Sequence, residues 1–372
     1  MSGDAPLGRE NLPVEDPDDE EAPNVAITRR GALLFGLFVA SAVAFLYFVL
    51  PKLTGLKDTW SRLDNGDPTW LAAAVLFEVV SFLGYVWLFR TVFIRGRTKV
   101  GWKASYEITM AGVAATRLFA AAGAGGIALT AWALRRSGME RRIVACRMVA
   151  FIVLLYTVFS LALVVGGFGL YLGLLPGNAP FAITMIPAIF GAAAFVLVYT
   201  TALIPEDVER RLAGWSAGQG RVSRLIAKVA TAPASVASGV RTAVRIVRDG
   251  ELGVLGGVLW WAGDIATLWA AFHAFSGDTP ELTVLIVAYF VGQLGNVLPL
   301  PGGIGGVDGA MIGAFAAFGV DVGLATVSVL TYRAFAFWLP TLPGAVAYLQ
   351  LRRTVAGWRE EHRAHKAILS EV

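Results

Sequence analysis

Hydrophobic positions along this chain fall into long runs separated by short polar segments. Six runs have roughly the 20-residue length that an α-helix needs to cross the hydrocarbon core of a bilayer. They cover residues 31–50, 69–90, 144–170, 181–204, 251–275 and 323–350. The pattern predicts an all-α polytopic membrane protein with six full spans.

Two further apolar regions, 104–134 and 283–319, are long but interrupted by glycine. The second contains Asn296–Gly309, where two prolines and five glycines are incompatible with an ordinary helix. At membrane depth, irregular backbone is tolerated only where protein buries it or where it lines a polar cavity. Because transporters bind substrates at such interrupted helices, the segment indicates binding or transport near the bilayer midplane.

Basic residues predict the topology, since Arg and Lys concentrate in cytoplasmic loops. Basic clusters at 95–103 and 135–142 place both ends of the first interrupted region in the cytoplasm. About 30 residues are too few for two comfortable spans, so we expect a re-entrant hairpin with its tip at 120–126. The same reasoning makes 283–319 a hairpin that enters from outside, with its tip at 299–306. Both termini are then cytoplasmic.

The two halves of the predicted transmembrane domain, 29–351, have the same order of elements. Repeat one (29–172) and repeat two (181–351) each contain three spans and one hairpin, and the hairpins enter from opposite sides. Opposite orientation is typical of an inverted repeat. The Gly-rich segments 123–127 and 303–307 also align at a constant offset.

Composition agrees with a multi-pass protein of the cell membrane. Hydrophobic residues make up 56% of the chain and charged residues 16%, with a mean hydropathy of +0.64, whereas soluble domains carry about 25% charge. The acidic segment 1–28 is predicted to be a disordered cytoplasmic tail, and 352–372 a short charged cytoplasmic tail. No secretory signal peptide is evident.

Segment 205–250 is basic and predicts amphipathic cytoplasmic helices on the anionic inner leaflet. Membrane attachment argues against nucleic acid as the partner of these basic residues. One apolar stripe of the segment comprises Val236, Val240, Val244 and Val247. We expect interfacial belts near span ends to include Trp60, Trp70, Trp260, Trp261 and Trp358.

The second Gly-rich segment resembles a known family. The resemblance rests on Pro-Leu-Pro-Gly-Gly-Ile-Gly-Gly-Val-Asp308, Phe-Gly-Val320, Leu-Thr-Tyr-Arg333-Ala-Phe-Ala-Phe-Trp-Leu-Pro340 and Gly344, with Ala-Gly-Ala-Gly-Gly126 and Leu-Arg-Arg-Ser-Gly138 upstream. This pattern is similar to the membrane domain of lysylphosphatidylglycerol synthase/flippase proteins. The family usually has Glu at position 308, and often a proline where this chain has Ala121 and Ala122.

The resemblance covers about residues 30–350 and includes no counterpart of the soluble aminoacyl-transferase domain. It therefore implies a stand-alone, lipid flippase-like membrane protein. Its expected partner is a phospholipid or another lipid-linked phosphate, and a homo-oligomer is compatible with the sequence.

Ionisable side chains within spans cost about 2.5–3.5 kcal/mol on insertion scales, so we expect them to face the bundle interior. Arg333 could bind a lipid phosphate through its planar fork or pair with Asp308 or Asp264. Asp308 could cap a helix, or bind an amine head group or a proton. Glu78 and Asp264 are candidate counter-ions or proton carriers, with structural pairing as the alternative. Arg117 lies near the first tip and is a candidate substrate contact.

Glycines near both tips permit close approach of a ligand or of a neighbouring helix. They are Gly125 and Gly126 in the first hairpin, and Gly302, Gly303, Gly305 and Gly306 in the second. Asn296 and Gln293 could line the same cavity or form interhelical hydrogen bonds. Arg147 is close to the cytoplasmic edge and is interpreted as a topology signal.

Motifs of soluble enzymes are missing from the sequence: it has no Ser-His-Asp constellation, Cys-x-x-Cys pair or Walker loop, and one cysteine, Cys146. We predict no cofactor and no metal site. These observations favour a lipid transporter over an intramembrane lipid-modifying enzyme using Glu78, Asp264 or Asp308. A lipid-binding scaffold for a partner enzyme is a third alternative. The sequence leaves open the lipid, the direction of transport and the energy source.

Overall fold

The computed structural model describes residues 66–95, 100–118, 124–203, 236–275, 279–297, 303 and 305–370. Every regular element in these ranges is helical. Some sequence predictions fall outside them, namely those on the acidic tail 1–28, the first span 31–50, the hairpin-tip residues 119–123 and 298–302, and residues 204–235.

The helices of the described ranges are named here in chain order. They are α1 (Pro68–Phe93), α2 (Trp102–Leu118), α3 (Ala124–Arg136), α4 (Arg141–Tyr171), α5 (Phe181–Thr201), α6 (236–248), α7 (Leu255–Ala274), α8 (Leu282–Gln293), α9 (Gly306–Ala317), α10 (Val322–Arg333) and α11 (Thr341–Ser370). Turns of 3₁₀-helix precede α7 and follow α8, and a π-helix, Ala334–Trp338, connects α10 towards α11.

Five helical runs in the described part of the chain are long and apolar enough to cross a membrane. They are Pro68–Phe93, Arg141–Tyr171, Phe181–Thr201, Leu252–Ala274 and Val322–Glu361. These runs coincide with five of the six predicted spans, and the sixth lies outside the described residues. The prediction of an all-α, multi-pass membrane protein is confirmed.

Side-chain caps explain where two of these helices begin. The Asp67 carboxylate accepts a hydrogen bond from the Thr69 N–H at 2.8 Å, with Pro68 in the first turn of α1. Asp321 accepts from the Leu324 N–H at 2.9 Å at the start of α10. Both are N-cap residues whose oxygens satisfy amide groups that have no partner within the helix.

Each of the two Gly-rich regions forms a pair of short helices. The two helices of each pair pack on each other, α2 on α3 and α8 on α9. The four helices have 17, 13, 12 and 12 residues. At about 1.5 Å per residue, none rises the roughly 30 Å of a hydrocarbon core. Helix α2 also packs on α11, and α8 packs on α4. The membrane face from which each pair enters stays a prediction.

Helices α1 and α7 form the most extensive helix contact of the described bundle. Small residues make it possible: a Cβ atom on Gly84 would lie 2.7 Å from the Gly256 carbonyl oxygen, and one on Gly263 would lie 2.7 Å from Ser81 Cβ. The Ser81 hydroxyl donates to the Trp260 carbonyl at 2.8 Å. Close approach of this kind stabilises helix pairs in membranes, and it places residues on the facing sides of α1 and α7 in the protein interior.

The face of α6 that packs against the protein differs from the predicted valine stripe. Ala237, Val240, Ala243 and Ile246 are buried, whereas Val247 is 52% exposed. The small residues allow close approach to α4, where Cys146 Sγ lies 3.2 Å from Thr242 Oγ1. The buried spacing is therefore i, i+3, and of the predicted stripe Val240 alone is fully buried.

Two residues have structural roles that the sequence analysis did not anticipate. Trp261, expected in an interfacial belt, is 5% exposed, and its indole N–H donates to the Leu155 carbonyl at 2.9 Å. The belt prediction is wrong for this residue, because the indole fills the contact between α4 and α7. Arg147 is more than a topology signal: it donates to the carbonyls of Phe93 and Arg95 at the end of α1.

Candidate functional site

Ionisable side chains from five helices converge in the interior of the described bundle. Glu78 comes from α1, Arg117 from α2, Asp264 from α7, Asp308 from α9 and Arg333 from α10. All five were candidates from the sequence, and they are linked by direct contacts or electrostatic interactions. We call them the charged cluster.

Arg333 and Asp308 form an ion pair, with 2.7 Å between Arg333 Nε and Asp308 Oδ1. The second carboxylate oxygen of Asp308 accepts the Gly305 N–H at 2.7 Å. Gly305 precedes α9 with φ +83°, a conformation that favours glycine. Asp308 therefore caps α9 and binds Arg333 with the same carboxylate, so it joins the second hairpin to α10.

Asp264 and Glu78 lie beside each other across the contact between α1 and α7. They are 8% and 2% exposed. Two tyrosines donate to Asp264 Oδ2: Tyr289 at 2.6 Å and Tyr332 at 3.1 Å. Sequence reasoning missed both tyrosines, because a tyrosine in an apolar helix has no distinguishing pattern until its partner is known. Thr267 donates to Glu78 Oε2 at 3.4 Å.

Arg117 is held by the π-helix. Its two terminal nitrogens donate to the carbonyls of Phe337 at 2.7 Å and Ala336 at 2.8 Å. In a regular helix the Ala336 carbonyl would accept from the amide of residue 340, but Pro340 has no N–H. The proline therefore frees an acceptor that must find another partner, and Arg117 provides it. Short π-helices are frequent at functional sites.

The Phe337 ring packs against both arginines. Its centroid lies 5.1 Å from the Arg117 guanidinium carbon and 4.7 Å from that of Arg333, distances at which cations and aromatic faces attract. Phe82 lies 5.7 Å from Arg117 on α1. Two cations are thus collected around one ring, next to the carboxyl groups of the charged cluster.

Glycines of the second hairpin bring its backbone close together before α9. Gly303 has φ +66°, and a Cβ atom there would lie 2.5 Å from Asn296 Oδ1. Gly306 is buried, with its carbonyl against Gly295. Gly302 lies outside the described residues. This part of the hairpin is therefore a packed backbone turn beside the Asp308 cap.

In the first hairpin, Gly126 is buried where α2 and α3 meet. A Cβ atom there would clash with Thr116 Oγ1 and the Gly112 carbonyl oxygen. Gly125 is half-buried beside it. Gly126 therefore lies in a close helix contact, and a role of either glycine in substrate binding stays a prediction.

A cavity of about 420 Å³ opens beside the second hairpin, between α4, α5 and the end of α8. Its aromatic lining comprises Tyr156, Phe159, Phe190, Phe195, Tyr199 and Trp261. Gln293 and the exposed Asn296 form its polar end, and Asn296 donates to Gln293 at 3.0 Å. Gln293 in turn approaches Tyr332 at 3.5 Å. The cavity is therefore linked to Asp264 of the charged cluster through Gln293 and Tyr332.

Within the described ranges, no three His, Cys, Asp or Glu side chains are grouped as ligands of a metal ion would be. The available chemistry is that of two guanidinium groups, three carboxyl groups and two phenols in an otherwise apolar bundle. Such a site can bind a charged head group, hold a proton, or do both.

Comparison with known proteins assigns the family. A model described as the lysylphosphatidylglycerol synthase TM region matches residues 33–344. A UPF0104 membrane protein of Methanothermobacter thermautotrophicus is 23% identical over 329 residues, covering 86% of this chain and 94% of the relative. A UPF0104 membrane protein of Pyrococcus horikoshii is 31% identical over 93 residues, covering 25% of this chain and 28% of the relative. No solved structure matches.

The family match spans most of the chain and includes α1 to α10. The resemblance seen in the Gly-rich motif is therefore confirmed. This chain belongs to the lysylphosphatidylglycerol synthase transmembrane-region family and is a multi-pass membrane protein.

Proposed function

We propose that the protein transports a phosphate-bearing lipid, whose head group binds between the two hairpins at Arg117 and Arg333. One observation carries the proposal: two arginines from different helices flank a single ring, Phe337, inside a membrane bundle. Neighbouring buried cations repel each other, and a bound anion relieves that repulsion. Guanidinium groups also match the oxygens of a phosphate in geometry.

In this proposal, the Asp308 carboxylate binds Arg333 in the absence of lipid, in the position that the phosphate takes when lipid is bound. Its ion pair with Arg333 keeps the guanidinium neutralised when no lipid is present. An arriving phosphodiester exchanges with the carboxylate, while Asp308 keeps its hydrogen bond to the Gly305 N–H. Because Asp308 belongs to the second hairpin, this exchange couples head-group binding to the position of that hairpin.

The aromatic cavity supports a lipid rather than a soluble phosphate as substrate. Its lining between α4 and α5 suits an acyl or isoprenoid chain, and its polar end at Gln293 and Asn296 borders the charged cluster. A cavity of about 420 Å³ has the size of sites that bind small molecules. A lipid with its tail there has its head group directed towards Tyr332 and Arg333.

Helix contacts support the proposed inverted repeat, an arrangement that many transporters have. In the proposed repeats, α1 corresponds to α7, the α2–α3 hairpin to α8–α9, and α4 to α10–α11. The equivalent helices α1 and α7 pack on each other, and each hairpin packs on the last helix of the other repeat: α2 on α11, and α8 on α4. This exchange is expected of two halves related by an axis in the membrane plane.

Cysteine labelling tests the topology on which this repeat depends. Cysteines placed at Lys103 and Arg141 should both be shielded from an impermeant reagent added outside intact cells, since the first hairpin starts and ends in the cytoplasm. Outside labelling of either position would reject the re-entrant hairpin, and the inverted repeat with it.

Transport is tested with a fluorescent phosphatidylglycerol analogue in proteoliposomes, by following the exposure of its head group to an impermeant quencher. The variant Arg333→Gln/Asp308→Asn removes the ion pair without stranding either charge. We expect it to fold but to move the lipid about tenfold more slowly or worse, from the loss of one charge-assisted contact. Arg353→Gln, which changes an exposed arginine, is the matched control.

Wild-type rates in the folded double variant would reject phosphate binding at Arg333. Mass spectrometry of the same lipids distinguishes the enzyme alternative, because a lipid-modifying enzyme would change the mass of its substrate and a transporter would not.

A further inference from the structure

The charged cluster has an imbalance of acids over bases. Glu78, Asp264 and Asp308 are three carboxyl groups, and Arg117 and Arg333 are two guanidinium groups. With all five ionised, the cluster has one net negative charge in the membrane interior, which is a costly place for it. One bound proton makes the cluster neutral.

The position of that proton follows from the contacts of Glu78 and Asp264. Within the described residues, no hydrogen-bond donor reaches Glu78 Oε1, although Glu78 is only 2% exposed. The Asp264 carboxyl lies beside it, while Asp264 Oδ2 already accepts from Tyr289 and Tyr332. Two adjacent buried carboxylates cannot both ionise cheaply, so a proton held between them removes the repulsion and supplies the missing donor.

The groups that face this carboxyl pair come from every helix packed around it. Arg117 of α2 interacts electrostatically with both carboxyl groups, as does the phenol of Tyr332, and Arg333 of α10 interacts with Arg117 and with Tyr332. Tyr289 of α8 bonds directly to Asp264. From α4, Tyr156 packs its ring on Trp261 of α7. Arg117 therefore acts on the pair directly, and Arg333 acts on it through Arg117 and Tyr332, so an anion bound at the two guanidinium groups changes the affinity of the pair for protons.

We propose that head-group binding at Arg117 and Arg333 is coupled to the uptake of one further proton by Glu78 and Asp264. This inference rests on the proposed function. A phosphodiester brings one negative charge to a cluster that was neutral, so neutrality returns when the carboxyl pair gains its second proton. The proton comes from the aqueous side to which the site is open, and it is released when the lipid leaves.

Proton uptake of this kind supplies an energy source for a chain in which no nucleotide-binding loop is apparent. If lipid and proton enter the site from the same side, a pH difference across the membrane drives the lipid towards the more alkaline side. Transport is then accelerated by a gradient in one direction and slowed in the other.

The experiment uses the full chain in phosphatidylcholine nanodiscs, with a fluorescent phosphatidylglycerol analogue as the probe. Its phosphodiester stays singly charged between pH 5.5 and pH 8.5, so any pH dependence belongs to the protein. For uptake of one proton, the Kd should rise about tenfold per pH unit between the lower pH at which the free pair takes up its second proton and the higher pH at which the lipid-bound pair loses it. A pH-indicator dye in weak buffer should also report about one proton taken up per lipid bound.

The variant Glu78→Gln/Asp264→Asn should bind the probe with a Kd independent of pH and take up no proton. Glu107→Gln is the matched control: Glu107 is buried in α2 and accepts a hydrogen bond from Thr354, but lies outside the charged cluster. It should leave the proton linkage unchanged. The wild-type dye measurement needs no variant, so misfolding of the double variant leaves the inference testable.

Wild-type binding with a constant Kd and no dye signal would overturn the proton coupling and leave the proposed function intact. Retention of full pH dependence by the folded double variant would overturn the assignment to Glu78 and Asp264. Failure of the probe to bind at any pH would reject the proposed function, and the inference with it.

Discussion

The two hairpins of this protein bring opposite charges to the same place. In the first hairpin, α2–α3, the cation Arg117 lies in the last turn of α2 and donates to carbonyls of the π-helix. The second hairpin, α8–α9, has Asp308 in the first turn of its second helix. This anion binds Arg333, which lies just before the π-helix. Both hairpins therefore contact the segment between α10 and α11, one through backbone carbonyls and the other through a side chain.

This contrast indicates which hairpin is easier to release. A hairpin held by backbone carbonyl groups has partners that carry no charge and belong to the main chain of the π-helix. A hairpin held by an ion pair can exchange its partner for another anion. We therefore expect the first hairpin to be the fixed element and the second to respond to substrate.

The largest effect should come from breaking the ion pair of the second hairpin on one side. Arg333→Gln leaves the buried Asp308 carboxylate without its cation, which should lower the free energy of unfolding by about 3–5 kcal/mol. Adding Asp308→Asn to the same variant should recover much of that loss. Thermal unfolding in detergent measures both, and a double variant as unstable as the single one would show that the pair is not the source of the stability.

A smaller loss is expected at the anchor of the first hairpin. Arg117→Lys keeps the charge but cannot donate to the carbonyls of Ala336 and Phe337 through a planar fork. Loss of one charge-assisted hydrogen bond should cost about 1.5–3 kcal/mol. Unlike the change at Arg333, it should not be rescued by neutralising any carboxylate. Rescue by Asp308→Asn would mean that the two hairpins are held in the same way.

Packing within the first hairpin gives the next effect. Gly126→Ala places a Cβ atom against Thr116 Oγ1 and the Gly112 carbonyl, and should destabilise the fold by about 1–3 kcal/mol, as overpacking does. Thr116→Ser does not relieve the clash with backbone, so the double change should remain destabilised. A thermal midpoint equal to that of the wild type would contradict the close packing of α2 on α3.

The smallest effect should be a gain in the second hairpin. Gly309 is exposed in α9, and nothing lies within 4 Å of the position of its Cβ atom. Gly309→Ala should raise the free energy of unfolding by up to about 1 kcal/mol through helix propensity alone. Reduced transport by this variant, at unchanged affinity for lipid, would show that α9 must loosen during the cycle.

Much of the fold could be predicted from sequence because hydrophobic length is a strong signal in membranes. The predicted spans 69–90 and 181–204 agree with α1 and α5 to within three residues at each end. The Asp308 cap could also be predicted, since a carboxylate after a Gly-rich turn suits a helix N-terminus. The burial of individual side chains was harder to predict. Trp261 lies near a span end and has the residue type of an interfacial belt, but its burial depends on contact with α4.

The sequence identified most of the ionisable residues of the site, but it did not identify which of them contact each other. Glu78, Asp264, Asp308 and Arg333 stood out because charges are rare in apolar helices. Their pairing depends on which helix faces cross, and no local pattern specifies that. For the partner of Arg117 a signal did exist: Pro340 withholds an N–H from the Ala336 carbonyl, so a free acceptor could have been anticipated there.

The π-helix at Ala334–Trp338 also sets the rotational phase of the long helical run that contains it. In an uninterrupted α-helix, residues eleven apart, such as Arg333 and Gly344, point within about 20° of the same direction. The wider turn, closed by the Leu339 N–H to Ala334 carbonyl bond, moves them out of phase. Arg333 can then meet α9 while Gly344 lies against Met110 and Ala114 of α2. Without the wider turn, both residues would lie on one face of a continuous rod, which could not meet α9 and α2 at the same time.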